Sequence, residues 1–148
     1  MRVLAQRVSY AQVTVEGETL AKIGRGLVLF VGIARDDTVQ DVCYVVRKIL
    51  EMRIFPDRAG RFDKSVRDIG GDVMLVSQFT LLAQTKRGRR PNFECAMSPG
   101  LAVEVFEQVV KRFKESGLSV AVGRFGANMD VNLLNDGPVT ILVDSHER

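Results

Sequence analysis

At 148 residues and 46% hydrophobic, the chain is sized for one domain, expected to span 1–148, with a core that needs no staples. A formal charge of +3 is too mild to name nucleic acid as a partner. No apolar run reaches bilayer length, and Cys43 and Cys95 stand in no metal-ligand spacing, so a reduced, cytoplasmic protein with no metal and no cofactor is expected.

The opening residues 1–13 predict a first strand in place of a signal peptide. Val3, Ala5 and Arg7 alternate with Leu4, Gln6 and Val8, and VTV at 13–15 resumes the pattern. Glu16–Gly17–Glu18 predicts a hairpin turn into Thr19–Ile23, and Gly24–Arg25–Gly26 a second turn. The run at 27–31 is apolar on both faces, as in a strand covered on each side. Asp37 is the expected cap of a first helix, with Gln40 as its reciprocal partner. Its predicted buried stripe is Val39, Val42, Cys43, Val46, Ile49 and Leu50.

Residues 56–72, rich in charge and glycine, predict turns around a short strand, and 73–79 a buried strand. Ser98 is the expected cap of a second helix with Pro99 at its first position. Leu101, Ala102, Val105, Phe106, Val109, Val110 and Phe113 form its predicted stripe, and Gly117 its stop. Short strands are expected near 118–122, 130–134 and 139–143. The fold class is therefore α+β, a mostly antiparallel, barrel-like sheet with two long amphipathic helices packed on it.

Three segments lack regular periodicity. Residues 83–99 form an unusually long connection, of the kind that binds something or is disordered. Phe93, Cys95 and Met97 are placed to pin it inward. It carries Lys86, Arg87, Arg89 and Arg90, which suit a solvated loop as well as a phosphate contact. It follows Ser77–Gln78–Phe79–Thr80, where polar groups gather at a strand end. Asn135–Asp136–Gly137–Pro138–Val139–Thr140 has the composition of a tight turn, with the Pro138 isomer open. The stretch 123–129 is the third.

The chemistry inventory is thin. His146, the one histidine, stands near the end of the sequence, where fraying is expected, so a Ser–His–acid or Cys–His centre is not expected. Asp36, Asp37 and Asp41 suit a helix start. Thr80 is the best-placed hydroxyl but has no evident base. An enzyme built this way would rely on backbone N–H groups and on groups of its substrate.

The sequence closely resembles the D-aminoacyl-tRNA (D-tyrosyl-tRNA(Tyr)) deacylase family over essentially its whole length. Ser77–Gln78–Phe79–Thr80–Leu81 and Asn135–Asp136–Gly137–Pro138–Val139–Thr140 carry the resemblance. Gln6–Arg7–Val8, Arg53–Ile54–Phe55, Arg87–Gly88–Arg89–Arg90–Pro91, and Gly123–Arg124–Phe125 with Met129 support it.

The resemblance implies a homodimer with active sites at the subunit interface, acting on the aminoacyl-tRNA 3′ end. It implies that Gly137–Pro138, with a cis bond, reaches into the second subunit's site and rejects L-aminoacyl groups through its carbonyls, while D groups and glycine escape. Ser77, Gln78, Phe79 and Thr80 then form the catalytic wall, whose backbone N–H groups hold the ester oxygen, and the 2′-hydroxyl of the terminal adenosine assists water. Arg7 is expected to hold the Gly–Pro motif. Met129 is expected either to pack against it or to serve as ordinary core. The competing reading is a non-catalytic tRNA- or RNA-binding module of the same fold; a peptidase or generic esterase lacks its nucleophile and base.

Overall fold

β1 (Arg2–Val15) runs the length of the sheet, and three other strands pair with it. The computed structural model describes residues 1–86 and 88–147. β2 (Glu18–Ile23) returns antiparallel along the second half of β1 after the turn at Glu16–Gly17. β3 (Gly26–Gly32) takes the first half of the same edge, with Arg2 opposite Gly32 and Val8 opposite Gly26.

α1 (Val39–Glu51) then leads to the small hairpin β4 (Phe55–Pro56) and β5 (Phe62–Lys64). β6 (Asp72–Ser77) precedes a 3₁₀ turn at Phe79–Leu82. α2 (Pro99–Lys114), β7 (Val120–Val122) and β8 (Asp130–Asp144) complete the order.

The sheet is mixed. Its antiparallel part centres on β1, whose free edge β8 occupies. β3, β6 and β7 run parallel to one another, because the chain crosses back through α1 and then through α2 between them. β2 packs beside β6 and β7, which nearly closes the sheet into a barrel.

Alternation along the strands divides the apolar side chains into two cores. Leu27, Leu29, Val31, Val73 and Leu75 meet Val42, Val45, Ile49, Phe106, Val109 and Phe113 of the two helices. Val8, Ala11, Val13, Val28, Met74 and Val76 fill the barrel side. The run at 27–31 is thus apolar on both faces because both faces are covered.

Several local expectations change. Thr38, not Asp37, caps α1, and the Asp41 carboxylate accepts from the Thr38 backbone N–H and hydroxyl, both at 2.8 Å. Asp37 is buried and is committed to distant partners: the Met1 amine, the Ala34 N–H at 2.6 Å, and His146 Nε2 at 3.0 Å. Val39 is 48% exposed and Cys43 is an exposed free thiol, not a core residue. The stripe that meets the sheet is Val42, Val45, Val46, Ile49 and Leu50, so Cys43 lies one residue off it and Val39 lies in the first turn, outside the core.

Ser98 and Pro99 start α2 as expected. Leu101 is 59% exposed, one position off the buried row of Ala102, Phe106, Val109 and Phe113. The strand expected over 73–79 stops at Ser77.

The largest difference is at the end of the sequence. The strands expected at 130–134 and 139–143 are one strand, β8, and the segment between them is not a hairpin turn. Gln6 pairs with Thr140, and Val8 already pairs with Asn135. Two steps on β1 therefore face five on β8, and the extra residues bulge out of the ladder. Pairing with β1 on both sides of Asn135–Val139 overrides the local turn propensity.

Candidate functional site

Ser77 ends β6, and Gln78 leaves the strand path while its N–H still bonds the Val31 carbonyl at 2.7 Å. The chain then tightens into the 3₁₀ turn. Phe79 and Thr80 form its first turn, where N–H groups have no partner inside the helix. Among the described residues no backbone acceptor takes them. The Gln78 side-chain amide donates to Thr80 Oγ1.

Ser77, Gln78 and Phe79 form one wall of a cavity of about 620 Å³. Val31, Ile33 and Val76 also line it, as do Phe93 and Met97 of the long loop. Phe125, Asn128, Met129 and Val131 are further lining residues. Thr80 is exposed and lies outside this lining. The surface is chiefly apolar, with Ser77, Gln78, Ser98 and Asn128 as its polar side chains.

Met129 reaches the cavity because residue 123 is glycine. A Cβ there would lie 2.7 Å from Met129 Sδ, so a larger residue would require the Met129 side chain to shift. Phe125 packs on Phe106 of α2, with ring centroids 5.8 Å apart. These contacts give the irregular stretch 123–129 its shape.

The loop at 83–99 is anchored at both ends. Gln84 and Asn92 exchange backbone bonds of 2.8 and 3.0 Å, leaving Lys86, Arg89 and Arg90 at the tip. Arg35 N–H bonds the Cys95 carbonyl and Met97 N–H the Ile33 carbonyl, both at 2.9 Å. Phe93 meets Phe79 edge-on, with centroids 5.0 Å apart. Of the three residues expected to point inward, Phe93 and Met97 are half-buried. Cys95 is exposed, and its sulfur accepts from Gln84 Nε2 at 2.7 Å. Lys86, Arg89 and Arg90 are exposed; Arg87, expected in the same cluster, lies outside the described residues.

The second motif stands elsewhere. Gly137 and Pro138 are exposed on the β8 bulge, joined by a cis peptide bond, and do not line the cavity of their own chain. Met129 and this motif are therefore not brought together within one chain. Gly137 has φ +121°, which favours glycine, and a Cβ on it would also crowd Arg7 Nη2 and Val139 Cγ2, each 2.9 Å away.

Arg7 is 6% exposed and sits beneath the bulge. Its Nε lies 3.2 Å from the Asp136 carbonyl and 3.0 Å from the Asp136 carboxylate, and Nη1 donates to the Ile54 carbonyl at 2.6 Å. Asn135 Oδ1 accepts from Val139 N–H at 2.8 Å and its amide donates to Thr140 Oγ1 at 2.8 Å, tying the two ends of the bulge.

Asp36, Asp37 and His146 bring three potential ligand atoms within 4.8 Å. The Asp37 carboxylate already serves the Met1 amine, the Ala34 N–H and His146. No helix of the described residues is long and apolar enough to cross a membrane.

Sequence reasoning gave Phe125, Asn128 and Ile54 no role in the site, although Phe125 and Ile54 stand in stretches that support the resemblance. Phe125 and Asn128 lie in a segment without periodicity, and Ile54 acts through its carbonyl, which side-chain identity does not reveal.

A family model described as D-Tyr-tRNA(Tyr) deacylase matches residues 4–144. A D-aminoacyl-tRNA deacylase of Geobacillus sp. (strain WCH70) is 46% identical over 148 residues, covering 100% of this chain and 97% of the relative. One from Aquifex aeolicus (strain VF5) is 50% identical over 147 residues, covering 99% of each. The solved structure of a c-Myc DNA Unwinding Element Binding Protein superposes with a TM-score of 0.92 at 38% identity, over 97% of this chain and 98% of that one. That of a probable eukaryotic D-amino acid tRNA deacylase gives 0.85 at 16% identity, over 96% and 97%, a likeness of fold alone.

Proposed function

We propose that this chain, which belongs to the D-Tyr-tRNA(Tyr) deacylase family, hydrolyses the ester of D-aminoacyl-tRNA to free D-amino acid and tRNA in the cytoplasm. The observation that carries the reading is the wall at Ser77–Thr80. It sets Phe79 beside an apolar cavity with Thr80 next in the chain; among the described residues no acceptor takes their N–H groups, and the wall supplies no side-chain base.

In this reading the 3′ end of the tRNA enters the cavity and the ester carbonyl faces the Phe79 and Thr80 N–H groups. Water adds to the carbonyl carbon with help from the 2′-hydroxyl of the terminal adenosine. Negative charge gathers on the carbonyl oxygen, where the N–H groups stabilise it. The C–O bond to the ribose then breaks, the ribose oxygen leaves with a proton, and the carboxylate departs. Gln78 orients the wall through Thr80 Oγ1, and Ser77 shapes its inner edge. An aminoacyl ester is reactive enough for placement and charge stabilisation to suffice.

Selectivity follows from a second copy of the chain. Gly137 and Pro138 protrude from their own subunit, away from its cavity, beside exposed Leu134 and Leu142 on β8. Among the described residues the outer edge of β8 pairs with no strand. Such an edge and such side chains suit burial against another subunit. In the homodimer each bulge enters the other subunit's cavity, where its carbonyls exclude an L side chain. A D side chain points away, and glycine, with no side chain, is also hydrolysed. Arg7 holds the bulge in place, and Met129 shapes the cavity that receives it. Lys86, Arg89 and Arg90, at the tip of the anchored loop, meet phosphates of the acceptor end.

Incubating purified protein with D-tyrosyl-tRNA and following free tyrosine tests the reading. Release at catalytic protein concentrations supports it. Binding without release makes the chain an RNA-binding module of this fold.

A further inference from the structure

Phe62 is 56% exposed on the β4–β5 hairpin. Its ring lies 5.6 Å from the Arg7 guanidinium carbon, and the Phe55 ring lies 6.0 Å from the same carbon. Arg25 stacks on Phe55 in turn at 5.8 Å. The result is an alternating series of Arg25, Phe55, Arg7 and Phe62, in which each guanidinium meets the negative face of a ring.

Among the described residues the hairpin pairs with no strand of the main sheet; buried Phe55 roots it in the core, and its turn is tied internally by Asp57. This residue accepts from the Ala59 and Arg61 N–H groups at 2.8 and 2.9 Å and from the Arg61 guanidinium at 3.0 and 3.1 Å. The turn is thereby stiffened directly before Phe62. Ile54, directly before the hairpin, accepts from Arg7 Nη1. One face of Arg7 is thus capped by the hairpin ring while its Nε holds the Asp136 carbonyl, the atom preceding Gly137.

We infer that Phe62 is a positioning residue for chiral selection, clamping Arg7 so that Arg7 fixes the Asp136–Gly137 backbone. The inference rests on the reading of Gly137–Pro138 given above and adds a residue from outside both motifs. Arg7 is held from three sides: by Phe55, by Asp136 and Ile54, and by Phe62. Phe62 is exposed and lies outside the core and outside the Asn135–Thr140 motif, so its ring can be removed without altering the bulge's own residues. Removing the ring lets water reach the guanidinium and lets it swing, and the bulge then samples positions in which its carbonyls no longer block an L group.

The test compares wild type with Phe62→Ala and Phe62→Tyr. Each is assayed on D- and L-tyrosyl-tRNA, and hydrogen exchange is read over residues 133–141. Phe62→Ala is expected to narrow the D-to-L rate ratio roughly three- to ten-fold and to raise exchange in that segment. Phe62→Tyr, which keeps the ring face, is expected to restore both. An unchanged ratio or unchanged exchange in Phe62→Ala overturns the inference, as does a Phe62→Tyr variant that behaves like Phe62→Ala. If wild type releases neither ester, the functional reading fails by itself. The exchange arm then decides the clamp, and unchanged uptake in Phe62→Ala overturns it.

Discussion

Arg7 approaches Asp136 twice from one nitrogen, with Nε 3.2 Å from its carbonyl and 3.0 Å from its carboxylate. The same guanidinium reaches Ile54 at 2.6 Å, so a single buried side chain ties the first strand to the bulge of the last. Lysine carries the charge without the planar fork and cannot meet both sites. Arg7→Lys is therefore expected to lose about 1–3 kcal/mol of stability, because a buried acceptor is left unmet. It is also expected to lower D-over-L selectivity. Urea denaturation and paired hydrolysis assays check the two effects.

Thr80 accepts from the Gln78 amide and lies outside the cavity lining. In the proposed mechanism its hydroxyl orients the wall, while the Phe79 and Thr80 N–H groups stabilise the developing charge. Thr80→Val should slow D-ester hydrolysis by no more than about tenfold, well short of the ~10²–10³ that follows removal of an oxyanion donor. Single-turnover rates decide. Complete loss of activity, with folding and tRNA binding intact, would make Thr80 the nucleophile.

Lys86, Arg89 and Arg90 sit at the tip of a loop anchored by the Gln84–Asn92 pair and by Phe93 on Phe79. Replacing the three with glutamine should weaken tRNA binding. It should also flatten the slope of log K against log salt by about 0.7–0.9 for each phosphate that is no longer neutralised. Binding measured across a salt series gives the slope. An unchanged value returns the cluster to plain solvated surface.

Asp41 makes a pH-dependent contribution at the start of α1. Burial alone would raise its carboxyl, yet the Thr38 backbone N–H, the Thr38 hydroxyl and Ser145 together hold it well below the usual carboxylate range. A folded value below the unfolded one means the stabilisation is complete above about pH 4. It is lost as the pH falls from there toward the folded value. Asp41→Asn should cost about 1 kcal/mol at neutral pH, as removal of a capping interaction does. The difference from wild type should shrink below about pH 4. Thermal melts at pH 7 and pH 3 measure it.

The alternation of the first strand, the two-faced run at 27–31 and the start of α2 are all legible in the sequence, because each depends on neighbours within a few residues. The cap of α1 is not. Asp37 has the right residue type for a cap, but its partners include the Met1 amine 36 positions away and His146 109 positions away, and these determine its role. Asn135–Asp136–Gly137–Pro138 likewise has the composition of a turn. Pairing with β1 on both sides keeps it within a strand and turns it into a bulge. At the site, the Ser77–Phe79 wall is visible from polar residues at the end of an apolar strand. The other lining segment, Phe125 to Met129, is set by tertiary contacts such as Phe125 on Phe106 that no local pattern encodes.

The most direct test of the account is the ratio of initial hydrolysis rates on D- and L-tyrosyl-tRNA, measured side by side with one preparation of the protein. The account predicts rapid release of tyrosine from the D ester and release from the L ester no faster than without protein. Equal release from both would leave an esterase and contradict chiral exclusion by Gly137–Pro138.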